Sequence, residues 1–210
     1  AALRADTTHQ IRAITLVQVD TATSVKNDVA AVRAVIDAVG HPAFLMVDCI
    51  ACLGVDEFHM DAWGADVMIS ASQKGLMTPP GLGFVFFNDR ALAATRPQVS
   101  AYWDWRPRCQ PREFYEYFNG TAPTHHLYGL REALTMLHEE TMPAVWARHA
   151  TLARAVWAAC EAWGQGGPLR LNIADSAIRS NAVTTVRIGS EHGPRLRQWM
   201  TDQAGVTLGI

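Results

Sequence analysis

Apolar and polar positions follow two rhythms along the first half of the chain. Ile11 to Val19 (IRAITLVQV) is β-branched and apolar, which predicts a buried strand. From Asp28 to Val39, Val29, Val32, Val35, Ile36 and Val39 recur at helical spacing, with Asn27 as candidate cap and Gly40-His41-Pro42 as terminator. Ala43 to Val47 (AFLMV) is a short, wholly apolar strand that runs into Asp48, and Asp66 to Ser70 (DVMIS) is another. After the Pro79-Pro80-Gly81 turn, Gly83 to Phe87 (GFVFF) resumes strand character. Strands separated by helical segments predict an α/β domain with a mostly parallel sheet flanked by helices.

The pattern then changes. Arg96 to Gly120 is irregular and aromatic, and a loop of that length either covers something or packs on the surface. Pro123 suits a first helical turn, and Leu127, Leu130, Leu134 and Leu137 form one stripe beyond it. A second helix after Pro143 carries Val145, Leu152, Val156, Cys160 and Trp163. Leu169 to Leu171 and Ala182 to Ile188 read as strands, and Pro194 to Gln203 as a helix. The change near Met142 marks the expected domain boundary, with a large α/β domain over 1–141 and the beginning of a smaller one over 142–210. The chain opens partway into a helical stretch without Met and stops at Leu208-Gly209-Ile210, as expected of a segment of a longer protein.

Composition narrows the class of function. Apolar residues make up 49% and charged residues 18%, which excludes a disordered chain. A net charge of −2 leaves no electrostatic footprint for nucleic acid or an anionic membrane. No apolar run approaches the roughly 20 residues that span a bilayer. Cys49 and Cys52 form a lone C-x-x-C without a second ligand pair, so no metal is expected; the cysteines read as small residues packed in a reduced, intracellular core. Trp146, Trp157, Trp163 and Trp199 read as core or interface packing. The His125-His126 pair at a helix start reads as capping, packing or solvent-facing, and Gly81-Leu82-Gly83 is not a dinucleotide loop.

One constellation carries chemistry. Asp48 closes an apolar strand, at the end where open α/β sheets bind ligands. Lys74 follows 26 residues later among small residues, and Lys26 is the only other lysine. An acid and a lysine in that setting are the minimum for pyridoxal phosphate: the amine forms the Schiff base and the acid keeps the pyridine nitrogen protonated. Spacing alone favours a buried ion pair or two solvated charges.

The strings Val47-Asp48-Cys49-Ile50-Ala51-Cys52-Leu53-Gly54, Trp63-Gly64-Ala65-Asp66-Val67, Ser70-Ala71-Ser72-Gln73-Lys74-Gly75-Leu76 and Pro79-Pro80-Gly81-Leu82-Gly83 closely resemble the class V aminotransferases, within them the alanine–glyoxylate and serine–glyoxylate branch. Tyr102-Trp103-Asp104-Trp105 and Leu127-Tyr128-Gly129-Leu130-Arg131-Glu132 resemble it too. The resemblance implies the pyridoxal-phosphate-dependent transferase fold type I, ending in the start of a small α+β domain. It implies a cytoplasmic homodimer that moves an amino group from serine or alanine to glyoxylate or pyruvate by a ping-pong route. It makes Lys74 the catalytic, cofactor-bearing lysine and Asp48 the partner of the pyridine nitrogen. Ile50 would pack on the ring, Gln73 would bond the phosphate, Thr21 would stand near the ring, and Thr121 would reach the phosphate in the other subunit.

Departures from the family pattern are equally specific. Gln18 stands where the family has His, Ser24 where it has Gly, and Phe118 where a phosphate-binding Tyr is frequent. A phosphate loop upstream and a carboxylate-binding arginine downstream are absent from the chain. Other class V chemistries (pyridoxamine–pyruvate transfer, desulfuration, kynureninase) stay open, as does a non-catalytic remnant of the fold. Desulfurases carry His before the lysine, and Gln73 argues against that reading.

Overall fold

Four strands build one sheet: β1 (Ala13–Val17), β2 (Phe44–Asp48), β3 (Val67–Ala71) and β4 (Gly83–Phe87), in that spatial order. The structure, a computed structural model, describes residues 1–96 and 100–209. The Arg96–Gly120 stretch and the Leu208–Ile210 end therefore each include residues, 97–99 and 210, that lie outside the description. β1, β2 and β3 run parallel, and β4 returns antiparallel to β3. Val17 lies beside Asp48, Asp48 beside Ile69, and Ile69 beside Val85. The C-terminal ends of all three parallel strands thus meet at one edge, and the loops that leave from it begin at positions 18, 49 and 72.

The period-2 alternation decides which face is core. Leu16, Val47 and Met68 form one cross-strand row, and their face packs on helix α2 (Val29–Ala38), which follows the short N-terminal helix α1 (Ala2–Ala5), through Val29, Val32 and Ile36. The opposite face carries Val17, Ile69 and Val85, all exposed, with half-buried Asp48 among them. The α2 cap is Asp28, whose carboxylate accepts from the Ala31 N–H at 2.9 Å, and not Asn27. Asn27 instead donates its side-chain amide to the Val17 carbonyl at 2.8 Å, tying the loop back to β1.

A short helix α3 (Asp89–Ala93) follows β4, and the aromatic stretch holds a helical turn α4 (Arg106–Cys109) and a 3-10 turn at Phe114–Tyr117. Two long helices come next, α5 (Thr124–Glu140) and α6 (Met142–Trp163), divided only by Thr141 at φ 70°. The expected late strands shrink to Arg170–Leu171 and Val186–Arg187. Their neighbours spend backbone groups elsewhere: Ser180 N–H bonds Ser24 O and Asn181 N–H bonds the Asp56 carboxylate. A last helix spans Gly193–Ala204. Trp163 and Trp199 are exposed, not core, and Cys109 is exposed, unlike the other three cysteines. Trp157 is held by a 3.0 Å hydrogen bond to Thr184, and Trp146 packs edge-on against His59.

Asp66 anchors the edge of the sheet opposite the loops. It is buried just before β3, accepts from Leu45 N–H at 2.8 Å and from Asn88 at 3.0 Å, and takes Arg90 on both oxygens at 2.8 Å. Burial pushes its pKa up, but the Asn88, Arg90 and Leu45 donors outweigh it and hold the carboxyl below the ordinary aspartate range. Asp66→Ala is expected to destabilise the fold by about 3 kcal/mol, because Arg90 and two amide donors lose their acceptor. Because the folded-state pKa is depressed, this stability is fully present above the ordinary carboxylate value and is lost as pH falls through the folded one. Urea unfolding of wild type and Asp66→Asn should show a full gap at neutral pH that closes only in strong acid; a pH-independent gap would refute the assignment.

Candidate active site

Asp48 ends β2 in the middle of the loop-bearing edge. It is half-buried and not fully enclosed as a buried acid would be. One oxygen, Oδ1, accepts from the Ile50 N–H at 2.8 Å, while Oδ2 receives no hydrogen bond from any described residue. Ile50 is half-buried beside it. The chain then coils through a tight turn in which Cys52 and Leu53 N–H both reach the Cys49 carbonyl, at 3.1 and 2.9 Å. Cys49 and Cys52 are fully buried, and the Cys52 thiol donates to Gln18 Oε1 at 3.1 Å. Hydrogen bonding to Cys49 and burial push the Cys52 thiol up, away from a reactive thiolate. Gln18, where the family has His, uses its amide N–H on Glu57 O at 2.8 Å and so fastens this turn to β1.

Lys74 sits on the turn after β3. Ser72, fully buried, organises that turn: its hydroxyl donates to Pro79 O at 2.8 Å, and its carbonyl accepts from the Thr78 hydroxyl and N–H. Met77 N–H closes on the Lys74 carbonyl at 2.9 Å. Lys74 and Gln73 are exposed, and among the described residues neither side chain has a hydrogen-bond or ion-pair partner. Two glycines bring this turn against the Asp48 turn. A Cβ on Gly75 would stand 2.2 Å from Leu53 O, and one on Gly54, at φ 87°, would stand 2.9 Å from Gly75 O. Only hydrogen at both positions lets the two backbones touch.

Thr21 crowns the loop after β1. Asp20 shapes it by accepting from the Thr23 hydroxyl at 2.6 Å and the Ala22 N–H at 3.1 Å, which hold the Asp20 carboxyl below its ordinary range. The Thr21 side chain is exposed and unbonded among the described residues. Thr21, Asp48, Ile50, Gln73 and Lys74 therefore leave from adjacent strand ends along one edge. Thr121 does not join them. It lies exposed ahead of α5, whose His126 donates to Pro80 O at 3.0 Å.

The donor set fits pyridoxal phosphate. An amine without an ionic partner suits its aldehyde, an open carboxylate oxygen suits a protonated ring nitrogen, and unengaged amide and hydroxyl groups suit a phosphate. Sequence reasoning missed Ser72, Asp56 and the glycine contact. Asp56 is fully buried and accepts from the Ser180 hydroxyl at 2.6 Å, a partner 124 residues away that no local pattern signals.

The Aminotransferase class-V family profile matches residues 1–208. The serine–glyoxylate aminotransferase of Methylorubrum extorquens is 44% identical over 170 residues, covering 78% of this chain and 42% of its own length. That of Arabidopsis thaliana is 42% identical over 188 residues, covering 89% and 46%. The crystal structure of an alanine–glyoxylate aminotransferase from Nostoc sp. superposes with a TM-score of 0.84 at 27% identity, over 99% of this chain and 55% of that one. The chain spans about half the length of the curated relatives it matches.

The glycine contact is directly testable. Gly75→Ala is expected to destabilise by about 2 kcal/mol or more, since its methyl meets backbone that cannot step aside. Calorimetry reads the loss as a lower Tm, and an unchanged Tm would mean that the two turns do not touch.

Proposed function

Because the chain belongs to the class-V aminotransferase family, we propose that the protein it forms part of transfers the amino group of a small amino acid, serine or alanine, to a 2-oxo acid, glyoxylate or pyruvate, using pyridoxal phosphate. The observation that carries this reading is the meeting of the Asp48 and Lys74 turns at one sheet edge, with Asp48 Oδ2 and the Lys74 amine both unspent. The names of the two relatives reported above support serine and glyoxylate.

In this reading each residue has one task. The Lys74 amine would hold the cofactor and would carry the substrate α-proton. Asp48 Oδ2 would accept the pyridine N–H, while Oδ1 is held by the Ile50 N–H at 2.8 Å. Ile50 packs on the ring face and Thr21 stands near the ring. Gln73 donates to the phosphate, and Thr121 donates to the phosphate held by the other subunit. Bound pyridoxal phosphate supplies the electron sink for the carbanion left by proton removal. Amino acid and 2-oxo acid take turns in the same site.

The separation of Thr121 from the other five residues supports a homodimer, because a neighbouring subunit is the natural recipient of its hydroxyl. The exposed aromatics Tyr102, Trp103, Phe114, Tyr115 and Tyr117 offer an apolar surface near it for that contact. Thr141 at φ 70° supports a domain boundary between 141 and 142. No helix among the described residues is long and apolar enough to cross a membrane, and the unpaired cysteines are consistent with a cytoplasmic location.

The decisive experiment adds pyridoxal phosphate to the full-length protein, reduces with borohydride and maps the adduct by mass, with Lys74→Ala as control. A pyridoxyl group confined to the Lys74 peptide is the expected result. No adduct at full length sinks the aminotransferase reading.

A further inference from the structure

The loop that carries Thr21 is gripped from outside its own domain. Thr23 O accepts two hydrogen bonds from the distant C-terminal segment, from the Asn172 amide at 2.9 Å and from the Thr185 hydroxyl at 2.7 Å. Thr185 Oγ1 also lies 2.8 Å from Ser24 Oγ. A threonine hydroxyl has one proton, and Thr185 has given it to Thr23, so Ser24 is the donor in that pair. The chain of donation is therefore fixed as Ser24 to Thr185 to Thr23. The backbone adds to the grip: Ser180 N–H bonds Ser24 O at 3.1 Å, and Lys26 N–H bonds Ile178 O at 2.8 Å.

Ser24 adopts φ 64°, a left-handed conformation that strains a side-chain-bearing residue and that glycine adopts freely. The family pattern that the sequence resembles has glycine there. Ser24 accepts the strain and gains a hydroxyl that is buried and bonded. The same C-terminal segment holds the second loop of the edge as well, through Ser180 and Asn181 on buried Asp56. One segment thus clamps the loops after β1 and β2, which carry Thr21 and Ile50.

We propose that Ser24 and Thr185 are positioning residues for the cofactor-facing loop: their hydroxyl relay sets the place of Thr21, so the C-terminal segment and the cofactor loop move as one piece. This rests on the functional reading above, in that Thr21 stands beside the ring. It accounts for Ser at a glycine position and for a side-chain relay 161 residues apart in sequence.

The test uses full-length protein with Thr185→Val, which keeps the shape and removes the relay, and Thr185→Ser, which restores the hydroxyl. Two readouts are taken: amide hydrogen exchange over Thr21–Lys26 without cofactor, and the dissociation constant for pyridoxal phosphate. Thr185→Val should speed exchange in the loop and weaken cofactor binding roughly five- to thirty-fold, as expected for two lost hydrogen bonds, and Thr185→Ser should recover both. Should Thr185→Val not fold, Ser24→Ala removes the donor alone and should weaken binding by about three-fold or more. Faster exchange with unchanged cofactor affinity would make the relay merely structural and overturn the proposal. Unchanged exchange would overturn it too. If the unsubstituted protein takes up no pyridoxal phosphate, the functional reading itself has failed; failure of the relay alone shows as a wild type and a Thr185→Val that bind equally.

Discussion

Parallel pairing of β1, β2 and β3 is the constraint on which everything else depends. It sends three chain exits to one edge, so residues far apart in sequence become neighbours without any of them reaching for the others. Asp48 and Lys74 are separated by a helical turn, a long connection and a strand, yet the register fixes Asp48 beside Ile69, five residues before Lys74. Gly54 and Gly75 then convert proximity of strands into contact of turns. The antiparallel return of β4 adds to this by closing the Ser72 loop, since Ser72 N–H bonds Leu82 O at 3.1 Å just beyond the strand pair.

Charge is treated oppositely at the two edges of the sheet. Asp66, at one edge, is enclosed by Arg90, Asn88 and a backbone donor, and its carboxylate is spent on holding the sheet together. Asp48, at the other, keeps half of its carboxylate free, and Lys74 projects without an ionic partner among the described residues. A fold that leaves an acid and an amine uncommitted at one edge forgoes stabilisation that it takes in full at the other. Polar groups unused by the fold are the physical signature of a site.

Most of this arrangement was legible in the sequence, and what was not shares a cause. The strands and α2 follow from local periodicity, and the roles proposed for Asp48 and Lys74 follow from the motif strings. Local pattern failed where long-range hydrogen bonds decide. Ala182 to Ile188 reads as a strand, but the Ala182 N–H is taken by Ser180 Oγ and the Thr184 and Thr185 hydroxyls by Trp157 and Thr23 O, and Val186–Arg187 is the part that pairs. Asn27 and Asp28 are both good caps, and tertiary demand from Val17 O settles which of them serves. Ser24 registers in sequence only as a departure from glycine, and its meaning becomes visible once Thr185 stands next to it.

Asp48 shares its row with Val17, Ile69 and Val85, three exposed apolar residues on the sheet face away from α2. Parallel sheets ordinarily have both faces covered, and this chain spans about half the length of its curated relatives. The open face bears on chemistry as well as stability. A carboxylate facing water attracts a pyridinium weakly, because solvent screens the pair; the same pair within a covered face is several-fold stronger. Whatever covers Val17, Ile69 and Val85 therefore also sets how firmly Asp48 holds a ring nitrogen. Sheet completion and cofactor electrostatics are a single physical requirement here, which is why the cofactor experiments belong to the full-length protein.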